Sequence, residues 1–74
     1  MIFLNAPIQQ DKIIALLDDQ TVNGVHYKLT SHNGMKLVFQ TDADDLEAAA
    51  ANAKKAIKAQ QWGSVLFFQA GVEK

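Results

Sequence analysis

The two histidines, His26 and His32, are the side chains of this chain best suited to bind a metal ion or to transfer a proton near neutral pH. The alternation of apolar and polar residues from Val25 onward places His26 on the polar face of a strand and His32 in the turn that follows. The residues expected around His26 are lysine, threonine and glutamine, and the chain has no cysteine and no third histidine. A metal site would therefore need distant acidic ligands, so the sequence predicts neither a metal site nor a cofactor.

The serines and glycines show no pattern that is typical of a catalytic or phosphate-binding site. Ser31 and Ser64 lie in turn-like contexts, outside the Gly-x-Ser-x-Gly pattern of a nucleophile elbow. Ser31 precedes His32, but adjacency in the chain does not provide hydrogen-bonding geometry. The four glycines are isolated from one another, so no phosphate-cradling loop is predicted. We therefore assign no catalytic residue from the sequence, and we expect a binding protein rather than an enzyme.

An acidic segment precedes a basic one in the second half of the chain: Asp42, Asp44, Asp45 and Glu47 are followed by Lys54, Lys55 and Lys58. The acidic group lacks the central glycine and the terminal glutamate spacing of a calcium-binding loop. Acid first and base last is the order that complements a helix dipole. The pattern therefore predicts a solvated helix that is capped by Thr41 or Asp42 and runs to about Gln61.

Composition narrows the classes of partner and compartment. The chain has 74 residues, with seven basic and eight acidic side chains, so it lacks the basic excess that is typical of nucleic-acid binders. No segment approaches the roughly 20 apolar residues of a membrane span, and Met1 is followed by no basic signal-peptide region. The lack of cysteine fits a reducing compartment. We expect a single cytoplasmic domain over residues 1–74 that binds neither membrane nor nucleic acid.

Changes in hydrophobic periodicity divide the chain into six elements. Strands are predicted at residues 1–4, 25–30, 35–40 and 64–70, with helices at residues 9–19 and 42–61. The order resembles the ferredoxin-like β-α-β-β-α-β pattern, an α+β two-layer sandwich with a four-stranded antiparallel sheet and two helices on one face. In that pattern the first and third strands are central and the second and fourth are edges. The resemblance is to a fold pattern only, and it implies no function.

The hairpin between the two middle strands has a predicted register. A three-residue loop, His32 to Gly34, brings all large apolar residues of both strands onto one face. This loop places Tyr27 opposite Phe39, with both rings against the helices, and gives Gly34 a left-handed conformation.

The face of the sheet opposite the helices is the predicted binding surface. The first and fourth strands are apolar at every central position, so one apolar set must face away from the helices, although the sequence does not decide which. The expected ligand or interface residues are Phe3, Val38, Phe67 and Phe68, with His26 and Lys36 among the polar residues around them. RNA stacking would need an outward aromatic residue on the third strand, where the pattern predicts none.

The sequence therefore predicts a non-enzymatic binding or interaction module that self-associates through its open sheet face or its fourth-strand edge, as a homodimer or with a protein partner. One alternative is a regulatory domain that binds a small ligand. Another is a small dimeric enzyme with a cavity near His26. A second titratable group in a pocket beside His26 would favour the enzyme.

Overall fold

The computed structural model describes residues 1–73 and shows an α+β domain with one five-stranded antiparallel sheet and three helices. The elements in chain order are β1 (Ile2–Asn5), α1 (Gln10–Leu17), β2 (Gln20–Val22), β3 (Val25–Asn33), β4 (Lys36–Thr41), α2 (Leu46–Lys58), α3 (Gln61–Ser64) and β5 (Gln69–Val72). The strand order is β2-β3-β4-β1-β5.

The core lies between one face of the sheet and the helices. Its fully buried large side chains come from alternate strand positions and from the inner helix faces: Ile2, Leu4, Ile13, Leu17, Tyr27, Leu37, Phe39 and Ile57. Helix α2 adds Ala49, Ala50 and Ala53, as its three- and four-residue spacing predicts. Phe3 and Val38 lie on the opposite face. On β1, Ile2 and Leu4 therefore face the helices and Phe3 faces away from them.

The predicted four-stranded ferredoxin-like sandwich is not confirmed, because the sheet has a fifth strand and the strand order differs. Strand β2 pairs with β3, so the strand that was expected at an edge lies inside the sheet. The extra strand forms because Asn23 and Gly24 both adopt positive φ angles, 51° and 82°. This two-residue Asn-Gly loop is typical of a type I′ hairpin, whose twist matches that of the flanking strands.

The hairpin between β3 and β4 keeps the predicted buried face but not the predicted register. Tyr27 pairs with Thr41 rather than with Phe39, and the loop is the two residues Gly34 and Met35. A bulge at Thr30 inserts one residue into β3, and the Thr30 hydroxyl donates a 3.1 Å hydrogen bond to the Val38 carbonyl. The shorter loop and the bulge compensate for one another, so Tyr27, Leu37 and Phe39 still face the core. Met35, which was expected on the same face, lies in the loop and is 50% exposed. Gly34 has a φ of 62°, which confirms its predicted conformation.

Helix α2 begins and ends at other residues than the sequence predicts. Its N-cap is Asp45, whose Oδ1 accepts a 3.2 Å hydrogen bond from the Ala48 amide, and it ends at Lys58. Gln61, the predicted end of this helix, instead begins α3, which also contains Trp62 and Gly63. A Cβ atom at Gly63 would lie 1.8 Å from the Ile57 carbonyl oxygen, so the contact between α2 and α3 requires glycine.

The last strand is shorter and later than predicted. The apolar run from Val65 to Phe68 is a connection, and pairing begins at Gln69 opposite Asn5. The length of β5 follows from its partner, because β1 offers only four residues for pairing. Phe67 and Phe68 are therefore not strand residues.

Candidate functional site

The structure separates the predicted ligand or interface residues into three places. Phe3, Val38 and Lys36 come together on the open sheet face, because Phe3 pairs with Val38 across β1 and β4. His26 lies in the β2–β3 hairpin, towards the opposite end of β3 from the Gly34 turn. Phe67 and Phe68 lie in the connection before β5.

The open sheet face is covered by its own side chains. The Phe3 ring lies against Gly71, where an added Cβ would be 2.9 Å from Cε1 of the ring. Lys36 Nζ lies 5.5 Å from the centroid of the same ring and forms a 2.7 Å ion pair with Glu73. Val38 is only 8% exposed. The predicted apolar stripe is therefore narrow and shielded by a lysine–carboxylate pair, which makes this face a weak candidate for a contact surface.

His26 is held by polar groups on both sides of its ring. Its Nδ1 lies 3.2 Å from the Thr21 hydroxyl, and its Nε2 lies 3.3 Å from Asp19 Oδ1. The carboxylate, imidazole and hydroxyl follow one another in the order of a catalytic triad. However, the side chains of His26 and Asp19 are 41% and 69% exposed, so water screens their interaction.

A shallow hollow of about 310 Å³ adjoins His26 and is lined also by Lys28, Gln40, Thr41 and Asp42. It therefore contains the second titratable group that would favour an enzyme with its site near His26. Neither Thr21 nor Asp19 lines it, so the hydroxyl that His26 contacts does not face this space. Asp42 Oδ1 also accepts a 3.1 Å hydrogen bond from the His26 amide. The arrangement can hold a small polar ligand, but it does not join a nucleophile to a cavity.

Phe67 is the most exposed large apolar side chain among residues 1–73, at 91%. Together with Phe68 it borders a hollow of about 410 Å³ that Asn5, Met35 and Gln69 complete. Phe68 packs against the core, and Lys58 Nζ lies 5.6 Å from its ring centroid. Both phenylalanines therefore line the hollow at this end of the sheet, with Phe67 exposed and Phe68 half-buried.

Strand β5 is an edge, since among the described residues it pairs with β1 alone. The Glu73 amide donates a 2.8 Å hydrogen bond to the Met1 carbonyl. Antiparallel pairs alternate between hydrogen-bonded and non-hydrogen-bonded positions, so Gly71 and Gln69 also direct their backbone groups towards β1. The backbone donors and acceptors of Ala70 and Val72 consequently point outward, to the open edge.

A groove of about 470 Å³ runs between this edge and helix α2. Its floor and β5 side are Ala70, Gly71 and Val72, and its helix side is Glu47, Ala50, Ala51 and Lys54. The helix residues recur every three or four positions, so they form one face. Alanine side chains keep this face flat, while Glu47 and Lys54 are exposed at its two ends. The groove therefore combines unpaired strand backbone, small apolar side chains and one charge of each sign.

Sequence reasoning missed the groove because it assigned the edge strand to residues 64–70. The signal for the correct assignment is weak, because Gln69–Val72 contains a glycine and only one β-branched residue. Ala50 and Ala51 were visible in the sequence, but alanine is common in helices because it is a good helix former. Its presence therefore does not indicate that a helix face contacts a partner.

A scan against protein-family models and searches of curated proteins and of solved structures found no match to this chain. None of the helices within residues 1–73 combines the length and the hydropathy that a membrane span requires. Within the same residues, no three histidine, cysteine or acidic side chains converge as a metal site would need.

Proposed function

We propose that this protein is a non-enzymatic interaction module that self-associates through the edge of β5 and the adjoining face of α2. The observation that carries this proposal is the groove beside an unpaired strand edge. The outward backbone groups of Ala70 and Val72 form a template for strand addition. A folded partner that supplies a strand would satisfy these groups and cover the small side chains of the groove at the same time.

The β5 edge is a better contact surface than the open sheet face. Natural proteins protect sheet edges with charges, proline or a covering segment. Strand β5 has none of these within Gln69–Val72. On the open face, by contrast, Lys36 and Glu73 already cover Phe3. Of the two surfaces that the sequence suggested, the geometry therefore supports the edge.

Self-association also fits the size of the chain. A domain of 74 residues has a small core, and such domains are often stabilised by oligomerisation. A two-fold dimer uses the same surface patch on both copies, so one self-complementary groove is sufficient. Helix α2 packs on the sheet largely through alanine, which contributes little apolar area for each buried residue.

Sedimentation equilibrium of the full chain at tens of micromolar, with two matched variants, tests the proposal. Ala51→Glu places a charged side chain in the groove, and Ala48→Glu places the same side chain on α2 outside it. Both alanines are exposed, so neither change should unfold the domain. We expect a wild-type dimer, a monomeric Ala51→Glu variant and a dimeric Ala48→Glu variant. A monomeric wild type, or equal dissociation of both variants, would contradict the proposal.

A second candidate function, a small-ligand site beside His26, is favoured by the hollow that contains Lys28 and Asp42. A thermal-shift screen with amino acids, nucleotides and simple anions tests it, because a ligand that binds the folded state raises the melting temperature. A shift that is lost in Lys28→Ala but kept in Lys54→Ala would support this site. No shift with any of these compounds at millimolar concentration would reject it for these ligand classes.

We also propose that the fold is a ferredoxin-like sandwich extended by one edge strand. Supporting this, when β2 is set aside, the remaining order β3-β4-β1-β5 has β1 and β4 in the centre, with α1 and α2 connecting across the same face. Strand pairings measured by nuclear magnetic resonance test the assignment. A β1 strand that pairs with only one neighbour would contradict it.

We place this binding in the cytoplasm, because a chain without cysteine is suited to a reducing compartment. Fractionation of cells that express the tagged full chain tests the location. Recovery in a membrane or extracellular fraction would contradict it.

A further inference from the structure

We infer that the partner at the β5 edge is a second copy in antiparallel orientation, with Glu47 of each copy paired with Lys54 of the other. This inference rests on the proposed function, and it specifies the register and the charge pairing that the self-association uses. It follows from three independent features of the groove: its charges, its strand register and the small side chains on α2.

The charges on the groove face of α2 complement themselves only in the antiparallel orientation. Glu47 and Lys54 are seven residues apart, which is about two helical turns, and both line the groove. Within residues 1–73, neither forms an ion pair. A two-fold axis that passes between Ala50 and Ala51 brings each glutamate to the lysine of the second copy. A parallel arrangement would instead bring like charges together.

The helix dipole alone does not explain this placement. It favours acids in the first turn and bases in the last turn on any side of the helix. Lys55 satisfies the same preference, yet it does not line the groove. The occurrence of one acid and one base at the two ends of the groove face is therefore a property of that face. Further acidic side chains lie beside the Glu47 end of this face, since Asp44 and Asp45 border an adjoining hollow with Val72.

The backbone of β5 allows one register that matches the helix pairing. The outward groups belong to Ala70 and Val72, so an antiparallel strand pair forms when Ala70 of one copy faces Val72 of the other. Each of these two pairs exchanges two hydrogen bonds, and the two-fold axis then passes between the Gly71 residues. Gly71 lies in the same groove as Ala50 and Ala51, so a single axis can relate both the strands and the helices.

Small side chains make the close helix approach possible. In the proposed dimer the two β5 strands would be about 4.8 Å apart, as neighbouring strands are. Packed helices have axes about 8–10 Å apart, and the shorter of these distances require small side chains at the contact. Ala50 and Ala51 are the residues nearest the proposed axis on α2. The resulting assembly is a continuous ten-stranded sheet with two α2 helices side by side on one face.

Cysteine cross-linking tests the geometry, because the chain has no cysteine of its own. Ala51→Cys lies next to the axis, where the Cα atoms of the two copies can reach the separation of about 4.4–6.8 Å that a disulfide requires. Ala48→Cys is the matched control on the outer side of α2. Under mild oxidation we expect a covalent dimer for Ala51→Cys and at least tenfold less for Ala48→Cys. Equal cross-linking of both would overturn the inference.

Charge reversal tests the pairing and separates it from the proposed function. Glu47→Lys and Lys54→Glu should each raise the dissociation constant of the dimer roughly tenfold, because symmetry makes every reversal act on two ion pairs. The double variant should restore the wild-type value within about threefold, and Lys55→Glu should have a smaller effect than Lys54→Glu. A monomeric wild type would reject the proposed function. A dimer that Ala51→Glu dissociates, but that shows no recovery in the double variant, would reject only the present inference.

Discussion

The hydroxyl of Tyr27 donates a 2.6 Å hydrogen bond to the main-chain carbonyl of Ala49, and this bond links strand β3 to helix α2 inside the core. The same hydroxyl accepts a 3.0 Å hydrogen bond from the side-chain amide of Asn52. Asn52 in turn donates a 2.8 Å hydrogen bond to the Val22 carbonyl and accepts one from Asn23 at 2.9 Å. The extra hairpin is thus attached to α2 through one asparagine, and Tyr27 fixes the position of that asparagine.

Tyr27→Phe should destabilise the domain by about 1–3 kcal/mol, because it leaves one amide hydrogen of Asn52 without its acceptor in a partly buried place. Urea unfolding of the wild type and the variant measures this difference. Thr30→Val is the control: it removes a hydroxyl that donates to the Val38 carbonyl from an exposed residue of the same strand, so it should cost less. A neutral Tyr27→Phe change would show that the Tyr27 hydroxyl contributes nothing to stability.

Alkaline pH should reduce the stability that Tyr27 provides. Burial raises the pKa of the Tyr27 hydroxyl; the hydrogen bond from Asn52 opposes this rise, and the nearby Asp42 carboxylate adds to it. A raised pKa in the folded state means that the unfolded chain ionises first. The contribution of Tyr27 to stability is therefore complete at pH values below the unfolded-state pKa of about 10. It is lost as the pH rises through the folded-state pKa. The wild type should lose stability above pH of about 10 more steeply than Tyr27→Phe, and equal slopes would contradict this expectation.

Helix α2 should tolerate a larger side chain on its outer face but not on its inner face. Ala53 is fully buried against the sheet, so Ala53→Leu should cost about 1–3 kcal/mol through overpacking. Ala48 is exposed on the same helix, and Ala48→Leu should change the free energy of unfolding by less than about 0.5 kcal/mol. Urea melts of both variants measure the contrast. If the two changes had equal effects, close packing through alanine would not be the feature that holds α2 to the sheet.

Two glycines should respond to alanine for different reasons. Gly63→Ala should cost about 3 kcal/mol or more, because its Cβ would lie 1.8 Å from the backbone oxygen of Ile57 and the backbone must move. Gly34→Ala meets no atom within 4 Å, so only the positive φ of 62° is unfavourable and the cost should be about 1–2 kcal/mol. Thermal unfolding of both variants compares the clash with the strain. A larger loss at Gly34 than at Gly63 would contradict the close contact between α2 and α3.

Phe67→Lys should leave both the stability and the dimer unchanged. The side chain is 91% exposed and lies in the connection before β5, outside the groove. Surface changes of this kind usually alter the free energy of unfolding by less than about 0.5 kcal/mol. Sedimentation of the variant beside the wild type provides the measurement. Dissociation caused by Phe67→Lys would move the contact surface from the β5 edge to the end of the sheet that includes Met35.

The sequence by itself determined which faces of β3, β4 and α2 are buried, although not which face of β1. Alternation along β3 and β4 placed Tyr27, Leu37 and Phe39 in the core, and the three- and four-residue spacing on α2 placed Ala49, Ala53 and Ile57 there. These features follow from the periods of strands and helices, which do not depend on the rest of the fold. The positive φ of Gly34 was also predictable, because tight turns between two strands favour glycine at positive φ.

Only the tertiary structure decided the strand register and the edges of the sheet. Which side chains face the core depends on the combined number of loop and bulged residues. A three-residue loop, and a two-residue loop with a bulge at Thr30, give the same total, so the sequence pattern fits both equally. Strand β2 is too short for a visible period, and its pairing with β3 is what gives it an extended form. The phenylalanine-rich segment before Gln69 has higher strand propensity than β5 itself, yet it remains outside the sheet, because β1 ends at Asn5 and a strand extends only as far as its neighbour can pair.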